Sequence, residues 1–219
     1  MSLDAPKTTG HIHRVAQRNL KEQLVEAGAR VLFERGFHAA SVNDIVAAAD
    51  VPKGSFYNHF DSKEALALEA VRRYAESYDS DALRTGKGPA LARLRAHFSA
   101  VIERTAKRGV ELGCMLGNFS TELATHSPAI QKYVAAALKH WSEAVAACLA
   151  EAQAEGSLSP TLDTRALGHY LIDAYEGAVA RAKVTDSRKP LDNFITTTFD
   201  ALLASPQATP SRAKKPRAR

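Results

Sequence analysis

Ten consecutive residues, Val51 to Phe60 (VPKGSFYNHF), put side chains able to read DNA beside side chains able to hold them in place. Lys53, Ser55 and Asn58 carry donors and acceptors suited to base edges, while Tyr57 and His59 carry donors suited to phosphate oxygens. Gly54 and Ser55 are small enough to let a duplex come close, and Pro52 presets φ at a first helical turn, where its missing N–H is not needed. On a short helix Phe56 and Phe60, four residues apart, share one inward face. A second centre of chemistry is Cys114. A thiol at a helix N-terminus has its thiolate favoured by backbone N–H groups and the helix dipole, which makes it a nucleophile or a ligand contact. A small buried cysteine does neither. Cys148 falls on an apolar helical stripe and reads as core. The histidines give no metal site, because His97, His126, His140 and His169 lack tight ligand spacing and His11 and His13 lie near the N-terminus.

The residues before Val51 supply the frame that must present it. Ser41 is a good N-cap for SVNDIVAAA, in which Val42, Ile45 and Val46 form an apolar stripe at helical spacing. Asp50 tolerates a left-handed conformation, so a tight turn at Asp50 and Val51 joins two short helices. A preceding helix over about 19–35 carries Leu20, Leu24, Ala27 and Val31 and stops at Gly36, a C-terminal cap signal. A following helix starts near Asp61 or Ser62 and runs to about Ser80. Its first turn offers N–H groups and Lys63 to a phosphate. Ser41 and Lys63 thus complete the expected DNA-contacting set.

Everything downstream has helical periodicity, so the chain is all-α with about nine helices. The 219 residues suffice for a small head and a larger core. The expected division is an N-terminal arm over 1–18, a helix-turn-helix domain over 19–64, a ligand-binding and dimerisation bundle over 65–204, and a basic tail over 205–219. The net charge of +5 is accounted for by that tail, where Arg212, Lys214, Lys215, Arg217 and Arg219 stand among Pro, Ala and Ser with no acid. Such a segment cannot bury enough apolar surface to fold. The chain has no run approaching the ~18 to 20 apolar residues of a membrane helix and no signal-peptide pattern, so a cytoplasmic location is expected. Two cysteines are too few for a disulfide framework.

The segments LFERGFHAAS (32–41), NDIVAAADV (43–51) and KGSFYNHFDSKEAL (53–66) together resemble the N-terminal domain of the TetR family of bacterial transcriptional repressors. Asp50 stands where that family often has Gly, and Pro52 where it often has Ser or Thr. The resemblance implies a homodimer formed by the last two helices, about Asp163 to Val184 and Pro190 to Leu203. It also implies a palindromic double-stranded DNA operator, release by a small-molecule effector, no cofactor and no enzymatic activity. Alternatives on the same fold are an activator or a non-covalent ligand sensor. A Cys-dependent enzyme with His126 as base is a rival of another class, but the chain has no nucleophile elbow, Walker loop or dinucleotide fingerprint.

A narrower likeness joins GCMLGNFSTEL (113–123) and YEGAVARAK (175–183) to the branch of electrophile- and acrylate-responsive repressors, which often has a cysteine at the position of Cys114. The expected effector contacts are Cys114, Phe98, Phe119, Trp141 and Tyr175, with His97, His126, His140, Asp173 and Glu176 available to orient a polar ligand.

Overall fold

The computed structural model describes residues 8–204, with side chains from Leu20 onward. Its elements are α1 (Thr8–Ala39), α2 (Val42–Ala48), α3 (Lys53–Tyr57), α4 (Lys63–Glu76), α5 (Ala82–Thr85), α6 (Ala90–Arg108), α7 (Met115–Glu122), α8 (Pro128–Ala154), α9 (Thr164–Thr185) and α10 (Lys189–Thr196). A 3₁₀ turn over Val110–Leu112 precedes α7, and π-helical turns over Thr197–Leu202 extend α10. The fold is all-helical, as expected, and no helix among the described residues is long and apolar enough to cross a membrane. Residues 1–7 of the expected arm and all of the basic tail lie outside the described residues.

Two boundaries differ from the expected ones. The first helix begins at Thr8 rather than near 19. The helix breaks at Gly36, as expected, through a φ of 75° and a ψ of 168°, and a last helical turn follows it to Ala39. Only glycine takes that conformation without strain, so Gly36 lets the chain bend there. The helix expected to reach Ser80 ends at Glu76. Asp79 turns the chain at a φ of 47°, Tyr78 goes into the core, and the single turn α5 follows, with Leu83 buried. That turn makes ten α-helices among the described residues, where about nine were expected.

Packing explains the rest. Leu24, Val31 and Leu32 of α1 bury against Ile45 and Val46 of α2 and Leu66 and Val71 of α4. The approach of α1 to α4 is close, since a Cβ at Gly28 would sit 2.3 Å from Leu66 Cδ2. Between α8 and α9 a Cβ at Gly168 would sit 2.7 Å from the Ser142 carbonyl oxygen, so glycine is needed there to bring the two backbones together. α4 packs on α1 in the head and on α7 and α8 in the bundle, and thereby serves both.

Candidate functional site

The recognition segment is built from a cap, a turn and an anchor. Ser41 and Asp44 form a reciprocal capping box: Asp44 N–H donates to Ser41 Oγ at 3.1 Å and Ser41 N–H to Asp44 Oδ2 at 2.9 Å. The Ser41 hydroxyl also donates to Asp44 Oδ2, and this bond first, then the Ser41 N–H, then Arg35 at 2.7 Å, holds the Asp44 carboxyl below its ordinary range. Asp50 takes the left-handed turn, at a φ of 54°. Pro52 stands at the N-cap of α3, one residue before the helix. Phe56 is 0% exposed and packs on Phe60 with ring centroids 5.7 Å apart. That pins α3 by one face and turns the other outward: Lys53, Gly54 and Asn58 are exposed and Tyr57 is 55% exposed, with Ser55 and His59 half-buried beside them. A Cβ added at Gly54 would meet nothing within 4 Å. Nothing inside the protein requires a glycine there, and the space stays open to a partner approaching from outside.

Two expected DNA contacts are engaged elsewhere. The Lys63 ammonium donates to the carbonyls of Phe37 and Ala40, both at 2.5 Å, and lies over the Phe37 ring at 4.2 Å. It caps the end of α1, where cations are favoured, so two of its three donors are unavailable to a phosphate. Burial lowers its pKa. The Ser41 hydroxyl proton is likewise directed at Asp44 rather than outward.

In the bundle Cys114 is the N-cap of α7, as expected of a thiol at a helix start, but it is 1% exposed. Its sulfur lies 3.3 Å from Tyr78 Oη, and the Tyr74 hydroxyl and Gly117 N–H favour its charged form. Burial, then the Glu176 carboxyl, pushes the thiol up to about 12, so these neighbours do not make a standing thiolate. Burial also pushes Glu176 up to about 7, partly opposed by the Cys114 thiol beside it. Cys114 and Glu176 line a cleft of about 560 Å³ between α7, α8 and α9, whose walls include Leu138, Ile172 and Val179.

The four aromatic residues expected at an effector do not line this cleft. Phe98, Trp141 and Tyr175 pack on one another in the core, with centroids 5.4 to 6.0 Å apart, and Tyr78 stacks on Trp141 at 4.7 Å. Phe119 is buried on α7. None of them lines the Cys114 cleft. At helical spacing each completes the apolar stripe of its own helix, and the stripes converge on the core. Trp141 Nε1–H donates to His97 Nε2 at 2.9 Å, and burial, then Arg104, drives His97 down to about 4, keeping it neutral.

Sequence reasoning missed the links between α7 and the head. Glu122, the last residue of α7, accepts from His38 N–H at 2.7 Å beside the Gly36 bend. An acid at a helix C-terminus opposes the dipole, and that misplacement was the available signal. Arg108 Nη2 donates to Tyr74 Oη and to the Gly113 carbonyl, both at 3.2 Å, with its guanidinium 4.5 Å from the Phe33 ring of α1. Both ends of α7 are therefore tied to α1.

Residues 24–70 match the family model described as bacterial regulatory proteins, tetR family, and residues 90–198 match a tetracyclin repressor-like C-terminal domain. The chain is 37% identical over 194 residues to the HTH-type transcriptional repressor DhaR of Mycobacterium sp. (strain GP1), covering 87% of this chain and 96% of that one. It is 33% identical over 179 residues to the transcriptional regulator AcuR of Cereibacter sphaeroides, covering 80% and 82%. Among solved structures, the regulatory protein TetR from Rhodobacter sphaeroides superposes with a TM-score of 0.74 at 34% identity, covering 81% of this chain and 95% of that one.

Proposed function

This chain belongs to the TetR family of bacterial regulatory proteins and is a DNA-binding transcriptional regulator, and we propose that it acts as a homodimeric repressor released from a palindromic operator by a small electrophile reacting with Cys114. The observation that carries the DNA-binding reading is the division of α3, with Phe56 sealed inward and Lys53, Gly54, Tyr57 and Asn58 facing solvent. In this reading 19–64 is the operator-binding unit and 65–204 the sensing and dimerising one. Lys53 and Asn58 read bases and Tyr57 and His59 meet phosphates. Lys63 and Ser41 position α1, α2 and α4 rather than touch DNA.

The dimer reading is supported by a groove of about 760 Å³ along α9 and α10, lined in part by Tyr170, Ala174, Gly177, Ala178, Phe194 and Leu202. Tyr170 and Leu202 are each 53% exposed there, large apolar side chains that a second copy would cover. A two-fold dimer presents two α3 segments to successive major grooves of a near-palindromic site.

The effector reading is supported by Cys114 standing at the start of α7 in a cleft, and by the ties from α7 to α1 through Glu122 and Arg108. An adduct that displaces α7 also disturbs the Gly36 bend and the placing of the head. The test of the DNA-binding reading is a gel-shift titration against the DNA upstream of the gene. Lys53→Ala or Asn58→Ala should cost about 1 to 3 kcal/mol and relax base preference. Equal affinity of wild type and both variants for that DNA and for a scrambled duplex would defeat it.

A further inference from the structure

We propose that Glu176 is the base that takes the Cys114 thiol proton as the sulfur adds to a small, uncharged α,β-unsaturated carbonyl compound in the cleft between α7, α8 and α9. This rests on the reading of Cys114 as the effector thiol and says how a sealed thiol reacts at all.

The geometry is that of a carboxyl let in beside the sulfur. A Cβ on Gly117 would fall 2.5 Å from Glu176 Oε2 and 3.8 Å from Cys114 Cβ, so the glycine leaves the gap that brings the two side chains together. Although Glu176 as a whole is half-buried, its Oε1 is sealed and has no hydrogen-bond partner. Buried acceptors are almost always paired, and this one belongs to a carboxyl that lines a cleft next to a thiol.

The other groups around the pair do not compete for the proton. From α4 and the turn after it, the Tyr74 and Tyr78 hydroxyls favour the charged sulfur, and burial raises both phenols, so they stay protonated; Tyr78 Oη–H donates to Tyr74 Oη at 2.5 Å. From α6, Arg108 is held by Tyr74 Oη and the Gly113 carbonyl. From α9, Tyr175 is also raised by burial, Lys183 Nζ donates to Asn118 Oδ1 at 3.2 Å, and Asp173 is exposed at the cleft edge. From α8 the cleft takes Leu138. Tyr74, Tyr78 and the Gly117 N–H thus stabilise charge developing on sulfur, while Glu176 is the carboxyl that acts on the thiol. A thiol pushed up to about 12 ionises too rarely to react unaided at neutral pH, and a carboxyl near 7 is both partly ionised and basic enough to help.

The step balances within the protein and its ligand. The S–H bond breaks and its proton goes to the Glu176 carboxylate. The sulfur pair forms the S–C bond at the β-carbon, and the C=C pair moves to the α-carbon and carbonyl as an enolate. The Glu176 proton then passes to the α-carbon. The product is a neutral thioether and the carboxylate is regenerated, with no oxidant or further reactant. The apolar walls at Leu138, Ile172 and Val179 and the nearby carboxyls favour an uncharged ligand over an anion.

The test is the rate of adduct formation at Cys114 in the full-length protein, followed by intact mass with methyl vinyl ketone from about pH 6 to about pH 9, on a Cys148→Ser background. The rate with Glu176 present should rise through the carboxyl titration near pH 7 and then level. Glu176→Gln should be roughly a hundredfold slower at neutral pH and rise with hydroxide without levelling. Glu176→Asp should recover part of the rate. Gly117→Ala, which crowds the carboxyl out while keeping it in the chain, should be slowed in the same direction, and it carries the test if Glu176→Gln does not fold. Folded Glu176→Gln, or folded Gly117→Ala, reacting at the unmodified rate with the same pH profile overturns the base proposal and leaves Cys114 as the sensor. No adduct at Cys114 at any pH overturns the sensor reading, and the base proposal with it.

Discussion

Two short helices in this protein begin alike and use the likeness differently. α3 contains Gly54-Ser55-Phe56 and α7 contains Gly117-Asn118-Phe119, and in both the phenylalanine is buried and pins the helix. The glycines face opposite situations. A Cβ at Gly54 meets nothing within 4 Å, whereas one at Gly117 meets the Glu176 carboxyl at 2.5 Å. The same local pattern leaves space for a partner outside the chain in α3 and for a partner within it in α7. Only the fold distinguishes the two, because Glu176 comes from a distant helix.

The largest expected effect tests what the helices share. Phe56→Ala should cost about 3 to 5 kcal/mol, as for other fully buried phenylalanines, and abolish operator binding because α3 loses its anchor. Denaturant titration would measure the loss. A variant as stable as wild type would mean that Phe56 is not what holds α3.

A smaller effect belongs to α7 alone. Glu176 has a folded pKa raised to about 7 against an ordinary 4.5, so between those values the folded state holds more protons than the unfolded chain. Stability therefore falls as pH rises from about 4.5 to about 7 and is flat beyond. Glu176→Gln should remove that fall, bringing the melting curves at the two ends of the window closer together than in wild type. An unchanged difference between them would show that Glu176 ionises freely. The smallest effect separates the two glycines: Gly54→Ala should leave stability unchanged or raise it by up to about 1 kcal/mol through helix propensity, yet weaken operator binding. Unimpaired binding would mean that no partner uses the gap.

What the chain discloses locally, it discloses well. The cap at Ser41, the turn at Asp50 and the inward pair Phe56 and Phe60 depend on neighbours within a few residues, so spacing and residue type suffice to read them. Lys63 resembles a phosphate ligand until α1 is folded back to put the carbonyls of Phe37 and Ala40 against its ammonium. An apolar stripe of aromatics looks the same in sequence whether it faces a ligand or another helix. Trp141, Phe98 and Tyr175 face one another. The helix start at Cys114 is legible in its own segment, but its Tyr78 contact and its carboxyl neighbour come from the turn after α4 and from α9. The unexpected break between α4 and α5 follows from a left-handed Asp79, which carries no stronger local mark than any other aspartate.

The central claim is that α3 holds the operator and Cys114 lets it go, and fluorescence anisotropy of labelled upstream DNA tests both halves at once. Wild type, Cys114→Ser and Cys148→Ser would be titrated with and without brief exposure to an α,β-unsaturated aldehyde. All three should bind equally before exposure. Wild type and Cys148→Ser should then lose the operator while Cys114→Ser keeps it. Release of Cys114→Ser at the same aldehyde concentration as wild type would contradict the account.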